Sequence, residues 1–274
     1  MNKYSICILA HHKPCLLQKI TETIINENVQ IFVHLDARCD IADFSNIKNV
    51  IFIKQRVKVE WGGRSMITAM INLIKNVVAN KNSNYIVFIS GEDLPVIQPN
   101  QYDNYIDISK NYIEYEKLPK SNWFLGGMER VKYYYPFGSA KGVLNKLSVK
   151  AQKLLKIERK ITNKEFTLYG GSQWININYD TAVYILYRYK EYYNFFKFSY
   201  IPDEMIFQTI LMNSYLKNTV INTNYRYLRY QNNGSNASYL NEDDIKEIVK
   251  AKPLFCRKVF DEKSFDSLKR EINI

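Results

Sequence analysis

The sequence predicts an α/β fold in which a mostly parallel central sheet is flanked by helices. In the first third of the chain, short apolar runs alternate with amphipathic helical patterns, an order typical of doubly wound sheets. The chain has 274 residues, of which 46% are hydrophobic and 24% are charged, the composition of a folded protein with a large core. Because no repeat, low-complexity linker or change of composition divides it, we expect a single domain over residues 1–274.

The first third contains four apolar runs and two amphipathic patterns. Short, continuous apolar runs are typical of buried strands. The predicted strands cover residues 4–10, 31–35, 50–54 and 85–90. Apolar side chains recur with helical spacing over residues 13–26 and 65–78, which predicts two helices between these strands.

The remainder of the chain begins with a less regular region. Residues 111–165 predict a long functional loop followed by one helix, with a basic segment over residues 141–164. Regular patterning resumes at residues 167–176. Beyond it we predict helices over residues 179–193, 205–214 and 241–250, a strand over residues 220–230 and a polar turn over residues 232–236.

The formal charge of +11, from 38 Lys and Arg against 27 Asp and Glu, favours an anionic partner. This partner could be a phosphate-bearing ligand, nucleic acid or an acidic membrane face. The sequence contains no nucleic-acid-binding motif, no G-x-G-x-x-G and no P-loop, which argues against nucleic acid, a dinucleotide fold and an ATPase. No apolar run is long enough for a signal peptide or a membrane span, so we expect a cytoplasmic protein whose basic charge allows peripheral contact with an anionic membrane.

The cysteines and histidines point away from disulfide and zinc sites. Cys7, Cys15, Cys39 and Cys256 have no C-x-x-C spacing, which favours free thiols in a reducing compartment. With only three histidines in the chain, a zinc site would need ligands from distant segments, and we predict none.

Polar groups follow three of the predicted strands. These strand ends are Ala10-His11-His12, His34-Leu35-Asp36 and Ser90-Gly91-Glu92-Asp93. Ligands of open α/β sheets bind outside the carboxyl ends of the strands, and a carboxylate such as Asp36 suits a ribose or a base edge there. Each residue taken alone could equally be a turn or a cap, but three such ends in one sheet favour a ligand site. Two residues before Asp93 the sequence has Gly91 and not a second Asp. A single carboxylate provides too few oxygen ligands for a divalent ion, so we predict no metal at this position.

Cations in the last third of the sequence could neutralise a departing phosphate in place of a metal. Arg226 and Arg229 lie in the predicted strand over residues 220–230, and Arg257 and Lys258 follow Phe255. Fixed positive side chains can stabilise phosphate charge as it develops. The alternative at this stage is a solvated basic face.

Two further motifs allow both a structural and a functional interpretation. In Pro202-Asp203-Glu204, the two acids could cap the following helix, or Glu204 could act as a general base. Trp61 directly precedes a pair of glycines, and Trp174 follows another pair by three residues, so both could stack on a sugar or a base, or they could pack in the core. The same choice is open for the three consecutive tyrosines from Tyr133.

Taken in order, these motifs resemble the core-2/I-branching β-1,6-N-acetylglucosaminyltransferase family, glycosyltransferase family 14, which also contains the peptide O-xylosyltransferases. The resemblance covers residues 5–261 and consists of seven short segments in the family's order. The segments are Ala10-His11-His12-Lys13, Val33-His34-Leu35-Asp36, Trp61-Gly62-Gly63, Ser90-Gly91-Glu92-Asp93-Leu94-Pro95, Gly171-Ser172-Gln173-Trp174, Pro202-Asp203-Glu204 and Leu254-Phe255-Cys256-Arg257-Lys258-Val259-Phe260.

The resemblance implies a GT-A-like fold and an inverting, metal-independent transfer from a UDP-sugar, with GlcNAc the family's commonest sugar and no cofactor. It implies that residues 1–110 form the nucleotide-binding half and residues 111–274 the acceptor-binding and catalytic half. The family's catalytic base corresponds to Glu204. The family's diphosphate ligands correspond to Lys258 and to Arg229, with Arg226 as the alternative, and the uridine contact corresponds to Asp36.

The remaining site residues are assigned on the same resemblance. Ala10, His12 and Asp93 are expected at the UDP, and Trp61, Glu129, Trp174 and Asp203 at the sugar or the acceptor. Compared with the animal enzymes, the sequence is shorter and has no anchor, stem or cysteine framework. It therefore looks like a bacterial member of the family that acts on a lipid-linked oligosaccharide or another surface-polysaccharide precursor.

Three other functions are alternatives to this interpretation. A UDP-xylose-dependent O-xylosyltransferase would share the motifs. A non-catalytic basic module that binds an anion or a polysaccharide would share the charge, but it would show a steep salt dependence instead of one saturable UDP pocket. A retaining glycosidase would need a second carboxylate beside Glu204, and the sequence offers no evident partner.

Overall fold

The computed structural model of the chain describes residues 2–139, 141–159, 166–230 and 237–273. Its strands are β1 (Tyr4–Ala10), β2 (Val29–Leu35), β3 (Ile51–Phe52), β4 (Tyr85–Ser90), β5 (Asp93–Pro95), β6 (Asn111–Tyr112), β7 (Glu116–Lys117), β8 (Tyr169–Gly170), β9 (Asn176–Asn178), β10 (Val220–Ile221), β11 (Arg226–Leu228) and β12 (Phe255–Arg257). Its α-helices are α1 (Pro14–Ile24), α2 (Arg64–Asn80), α3 (Glu129–Lys132), α4 (Val143–Leu154), α5 (Tyr179–Phe196), α6 (Ile206–Met212), α7 (Ile245–Ala251) and α8 (Glu262–Ile272).

A seven-stranded sheet forms the centre of the fold, with the strand order β10-β6-β9-β4-β1-β2-β3. Strand β1 runs parallel to both of its neighbours, β2 and β4, and β2 runs parallel to β3. Strand β9 is the exception, since it is antiparallel to β4 and to β6. The predicted α/β class with a mostly parallel sheet is therefore confirmed, and the arrangement is GT-A-like.

Both faces of the sheet are covered by apolar side chains. Successive residues of a strand point to opposite faces, and in β1 Ile6 and Ile8 join one core cluster while Cys7 and Leu9 join the other. Helices α1 and α8 pack on the first face, and α2, α5 and α6 pack on the second. Because the central strands are buried on both faces of the sheet, their sequences are continuous apolar runs. None of the helices in the described ranges is both long and apolar enough to cross a membrane.

The predicted strand over residues 220–230 is wrong as one element. The chain forms β10 and β11 instead, because it turns between them: Tyr225 adopts a positive φ of 51°, and the Asn224 side chain accepts a hydrogen bond from the backbone N–H of Arg226. After the turn, β11 leaves the central sheet and joins a three-stranded sheet in the order β11-β12-β5. This second sheet carries Arg226 and Arg257, and Arg229 and Lys258 follow directly after its strands.

Other boundaries differ from the prediction by length or by type. The strand predicted over residues 50–54 is shortened to β3 at the sheet edge, and β12 and α8 were not predicted. The region 111–165 contains the short strands β6 and β7 and the helix α3 in addition to α4. The predicted polar turn over residues 232–236 lies outside the described residues.

Candidate active site

Three strand ends meet at one edge of the central sheet. In the parallel register, Ala10 lies opposite Leu35 and Leu9 lies opposite Ser90. The backbone N–H of Asp36 donates to the carbonyl of Ala10 at 2.8 Å, which continues the pairing one residue past the strands. The predicted meeting of these three polar strand ends is therefore confirmed.

Asp36 is enclosed by donors from two loops. The Arg38 guanidinium donates to both carboxylate oxygens, at 3.0 and 2.9 Å, and the backbone N–H groups of Arg38 and Val59 donate as well. Burial alone would raise the pKa of the Asp36 carboxyl, but these hydrogen bonds and the Arg38 charge outweigh it and lower the pKa to about 2. The carboxylate is thus ionised and holds Arg38 and the loop around Val59 beside the strand ends.

Glu92 binds basic side chains from two segments of the chain. Its carboxylate lies 2.6 Å from the Lys13 ammonium, 3.2 Å from His12 Nε2 and 3.4 Å from the Lys258 ammonium. Burial raises the pKa of Glu92, but the neighbouring lysines more than compensate and lower it overall. Both lysine ammonium groups also lie 5.4 Å from the centre of the Tyr239 ring. The buried glutamate therefore fixes two lysines at the end of β4, and Lys258 keeps 31% of its side chain exposed.

Asp93 lies between two arginines. Its carboxylate is 3.8 Å from Arg226 Nε and 3.5 Å from Arg257 Nε, and it also accepts the hydroxyl of Ser90. It is fully buried, so its charge is committed to these neighbours. Among the described residues, no cluster of three or more His, Cys, Asp or Glu side chains could hold a metal ion.

Arg226 and Arg257 differ in their access to solvent. The side chain of Arg226 is fully buried and donates to the carbonyl of Phe88, and burial lowers its pKa to about 10. Arg257 keeps 13% exposure and stacks on the ring of Trp174, 4.5 Å from its centre. Trp174 itself is buried, so the ring that was expected at the sugar supports a guanidinium in this structure.

Arg229 points to the side of β11 opposite Arg226. Because side chains alternate along a strand, Tyr227 and Arg229 both face α7, where each contacts the carboxylate of Asp244, at 2.9 and 3.0 Å. The Arg229 side chain is one third exposed, at 33%. Of the two arginines that the sequence offered as diphosphate ligands, Arg229 is the accessible one.

Glu204 lies at the end of a 3-10 turn, Pro202–Glu204, that two backbone hydrogen bonds hold in place. The N–H of Ile201 donates to the carbonyl of Gly62 at 3.0 Å, and the N–H of Gly171 donates to the carbonyl of Glu204 at 2.8 Å. The Glu204 carboxylate accepts a 2.6 Å hydrogen bond from Arg130 and keeps 31% of its side chain exposed. Protein surrounds the rest, and this burial raises the pKa of Glu204 although Arg130 opposes it.

Asp203 does not cap the following helix, so the structural interpretation of this residue is wrong. Helix α6 begins only at Ile206, and its N-cap residue Met205 provides no side-chain hydrogen bond. Asp203 is 2% exposed, and its Oδ1 atom has no hydrogen-bond partner among the described residues. Burial is the main cause that raises the pKa of Asp203 to about 7, and the negative charge of Glu204 is the second cause. The motif therefore carries two neighbouring acids, and both have raised pKa values.

The residues around Glu204 come mainly from the irregular middle segment, and the sequence analysis missed them. The Arg130 guanidinium stacks on the ring of Trp123, 3.5 Å from its centre, and the Lys120 ammonium lies 5.1 Å from the same ring and 3.2 Å from the Glu114 carboxylate. A Cβ atom at Gly170 would lie 2.6 Å from Trp123, so this glycine makes room for the indole. No periodic pattern marks these residues, and their mixture of aromatic and charged side chains was the only signal available.

Tyr230 connects the Glu204 side of the cleft to the cationic side. Burial raises the pKa of its hydroxyl, and the charges of Glu114 and Glu204 raise it further, while the charge of Arg257 lowers it. Its hydroxyl is therefore close enough to interact with all three groups. The charges of Glu204 and Arg257 thus both act on the Tyr230 hydroxyl.

Trp61 and Glu129 lie on the outer rim of this region. Trp61 is 40% exposed, and the Lys141 ammonium lies 4.0 Å from the centre of its ring. Glu129 precedes Arg130 in α3 but points away from it and pairs with Lys153 of α4 at 3.1 Å. Of the three consecutive tyrosines, Tyr133 is a buried core residue, whereas the two that follow are partly exposed.

The region therefore offers a partly exposed carboxylate with a raised pKa and a group of fixed cations, and charges of both kinds act on Tyr230. A carboxylate of this kind can accept a proton from a hydroxyl group. Fixed cations can stabilise an anion that develops during a reaction.

Comparison with known proteins shows the family of the chain. A family model described as "Branch: Core-2/I-Branching enzyme" matches residues 7–249. A protein named "Xylosyltransferase" from Ciona intestinalis is 23% identical over 225 residues, which is 77% of this chain and 25% of the relative. The chain thus spans about a quarter of the length of that relative. Since the family model covers most of the chain, including every strand end and motif up to α7, the chain belongs to the Core-2/I-Branching enzyme family.

Proposed function

We propose that this chain is an inverting glycosyltransferase that moves a sugar from a UDP-sugar to a hydroxyl group of a glycan or lipid-linked oligosaccharide, without a metal ion. The observation that carries the proposal is the position of Glu204. Its carboxylate is partly exposed and has a raised pKa, and its charge acts on the Tyr230 hydroxyl together with that of Arg257 in β12. Family membership and the xylosyltransferase relative support the same class of reaction.

In the proposed reaction, Glu204 removes the proton from the acceptor hydroxyl. The hydroxyl oxygen bonds to C1 of the sugar from the face opposite UDP, and the bond between C1 and the diphosphate oxygen breaks. Its electron pair leaves with UDP, and the configuration at C1 is inverted. The raised pKa makes Glu204 a stronger base, and Arg130 holds the carboxylate in one orientation.

The leaving UDP needs positive charge, and the proposal assigns this role to Lys258, Arg257 and Arg229. Lys258 and Arg257 are held by Glu92 and Asp93, and they retain exposed surface. Cations fixed in this way stabilise charge without reorganisation. Asp93 takes no part as a metal ligand, because its charge is committed to two arginines.

The uridine would bind at the three strand ends, near Ala10, His12 and Asp36. The donor sugar is proposed as GlcNAc, the commonest choice in the family that the sequence resembles. UDP-xylose is the second candidate, and it is favoured by the name of the Ciona intestinalis relative. A direct comparison of the two donors decides between them.

The test begins with calorimetric titration of UDP, followed by measurement of UDP release from UDP-GlcNAc and from UDP-xylose in excess EDTA. We expect saturable UDP binding and turnover that survives the chelator. Glu204→Gln should bind UDP normally and lose turnover by at least about 10²-fold, the loss typical of a general base. Glu158→Gln is the matched control, because Glu158 is an exposed partner of Lys132 outside the cleft.

Three results would contradict the proposal. Near-normal turnover of Glu204→Gln would remove Glu204 from the mechanism. A requirement for added manganese would contradict the role given to the cations. Binding of anionic polymers with a steep salt dependence, without a saturable UDP site, would instead indicate a non-catalytic basic module.

A further inference from the structure

Helix α4 is attached to the rest of the protein by polar side chains. Asn145 and Gln152, seven residues apart, are its buried members. The Asn145 amide donates to the carbonyls of Phe137 and Ser139, at 2.6 and 2.9 Å. The Gln152 amide accepts from the N–H of Tyr134 and donates to its carbonyl, both at 2.8 Å. Hydrogen bonds to backbone, and not apolar contacts, therefore hold the inner face of α4.

The outer side of the same helix is apolar. Its exposed apolar residues are Val143 at 69%, Leu144 at 59%, Leu147 at 56%, Leu154 at 84% and Leu155 at 66%. At 3.6 residues per turn, these side chains fall within an arc of about 120°. A surface helix of a soluble protein normally turns such an arc toward its core. In α4 the arrangement is reversed.

Lysines lie beside this apolar arc. Lys146, Lys150 and Lys153 occupy the adjacent strip of α4, and Lys141 and Lys156 lie at its two ends, all of them exposed. Residues 141–159 contain six Lys or Arg and one acid, Glu158, which gives the segment a net charge of +5. A partner of this face must therefore offer apolar volume next to negative charge.

We propose that α4 docks on a membrane that contains anionic lipids, lying in the plane of the interface. The leucines would enter the boundary between headgroups and acyl chains, and the lysines would meet the lipid phosphates. The helix borders the cleft, since Lys141 contacts Trp61 and the adjacent Gly62 accepts the backbone hydrogen bond of Ile201. Docking would thus hold the rim near Glu204 close to the bilayer. The docking itself does not depend on the proposed sugar transfer.

The experiment is flotation of the whole chain with phosphatidylcholine vesicles, with and without 30% phosphatidylglycerol, in the absence of any nucleotide. We expect binding to the anionic vesicles that weakens with salt. Lys146→Gln/Lys150→Gln should weaken it about 30-fold, since each cation near an anionic surface contributes about a factor of five. Lys246→Gln/Lys250→Gln of α7 changes the same charge at the same spacing on another exposed surface, and it should lose less than threefold.

The apolar contribution has its own pair of variants. Leu147→Gln/Leu154→Gln should weaken vesicle binding at least about tenfold, because less apolar area enters the interface. Ile25→Gln/Val249→Gln is the matched control, because the Ile25 and Val249 side chains are 44% and 47% exposed but lie outside α4. This variant should bind vesicles as the wild type does. Equal losses in the test and control variants would overturn the proposal, as would equal binding to neutral and anionic vesicles. A lipid-free dimer that Leu147→Gln/Leu154→Gln dissociates would assign the face to a second copy of the chain and would also overturn it.

Discussion

Replacing Asp36 by asparagine tests the ion pair that organises the strand-end region. In the native protein the pKa of this carboxyl is about 2, against an ordinary value of 3.8. Since one pKa unit corresponds to about 1.4 kcal/mol, the charged form is stabilised by roughly 2 kcal/mol in the fold. Half of the Arg38 side chain is exposed, at 51%, and solvent screens the pair, so we expect Asp36→Asn to cost about 1 to 2 kcal/mol at pH 7.

The sign of the pH dependence follows from the lowered pKa. The stabilisation is fully present above the unfolded pKa of about 4, and it is lost as the pH falls toward the folded pKa of about 2. Asparagine does not titrate, so the difference in unfolding free energy between the wild type and Asp36→Asn should be constant from pH 7 to 5 and shrink from pH 4 downward. Urea unfolding at pH 7, 5, 4 and 3 measures it directly.

Asp43→Asn is the matched control, because Asp43 is exposed on a neighbouring turn. It should change the unfolding free energy by less than about 0.5 kcal/mol. The stabilising role of the Asp36 charge is refuted if Asp36→Asn unfolds at the wild-type urea midpoint, or if its loss of unfolding free energy is the same at pH 3 as at pH 7. Either result would mean that the hydrogen bonds seen at Asp36 do not depend on its charge.

Three further predictions concern the cleft and its supports. The raised pKa of Glu204 should shift the acidic limb of the pH profile of kcat/KM above the ordinary range of a glutamate. Arg130→Met removes the positive charge that lowers this pKa, so the acidic limb should move to still higher pH. An unchanged acidic limb in Arg130→Met would contradict the pairing of Arg130 with Glu204. Gly171→Ala would bring a Cβ within 1.8 Å of the Glu114 carbonyl oxygen, so thermal unfolding should reveal a loss of at least about 2 kcal/mol, and a neutral result would disprove the close approach. Lys258→Gln should lower the rate of UDP release about 10²-fold in steady-state assays, whereas wild-type rates would exclude it from the diphosphate site.

The strand-end region could be predicted because its signals are local. Buried parallel strands give continuous apolar runs, and their carboxyl ends must lie at one edge of the sheet. The side chains of Asp36, Glu92 and Asp93 follow directly from that rule. The rule does not give the partners of these carboxylates, and their pairing with Arg38, Lys13 and Arg257 is seen only in the structure.

The surroundings of Glu204 could not be predicted, because they depend on backbone contacts between distant segments. The turn that carries Glu204 is fixed by Gly62 on one side and Gly171 on the other. This position buries Asp203 beneath the turn. Asp203 therefore does not cap helix α6, although Asp is a favourable N-cap residue. Arg130 lies in a segment without periodicity, and its hydrogen bond to Glu204 joins residues 74 positions apart in the sequence. A contact between such distant residues leaves no local sequence pattern.

The buried carboxylates explain how a cationic site can be stable before any ligand binds. Lys13 and Lys258 share Glu92, and Arg226 and Arg257 share Asp93, so this cluster has four cations and two carboxylates. Two carboxylates remove most of the repulsion among the cations and hold them in fixed positions. An excess of two positive charges remains, however, and the charge of Arg257 acts on the same Tyr230 hydroxyl as the charge of the proposed base. An anion that appears in the cleft during transfer would therefore meet charge that is already oriented, which is the condition under which electrostatic stabilisation of a transition state is most effective.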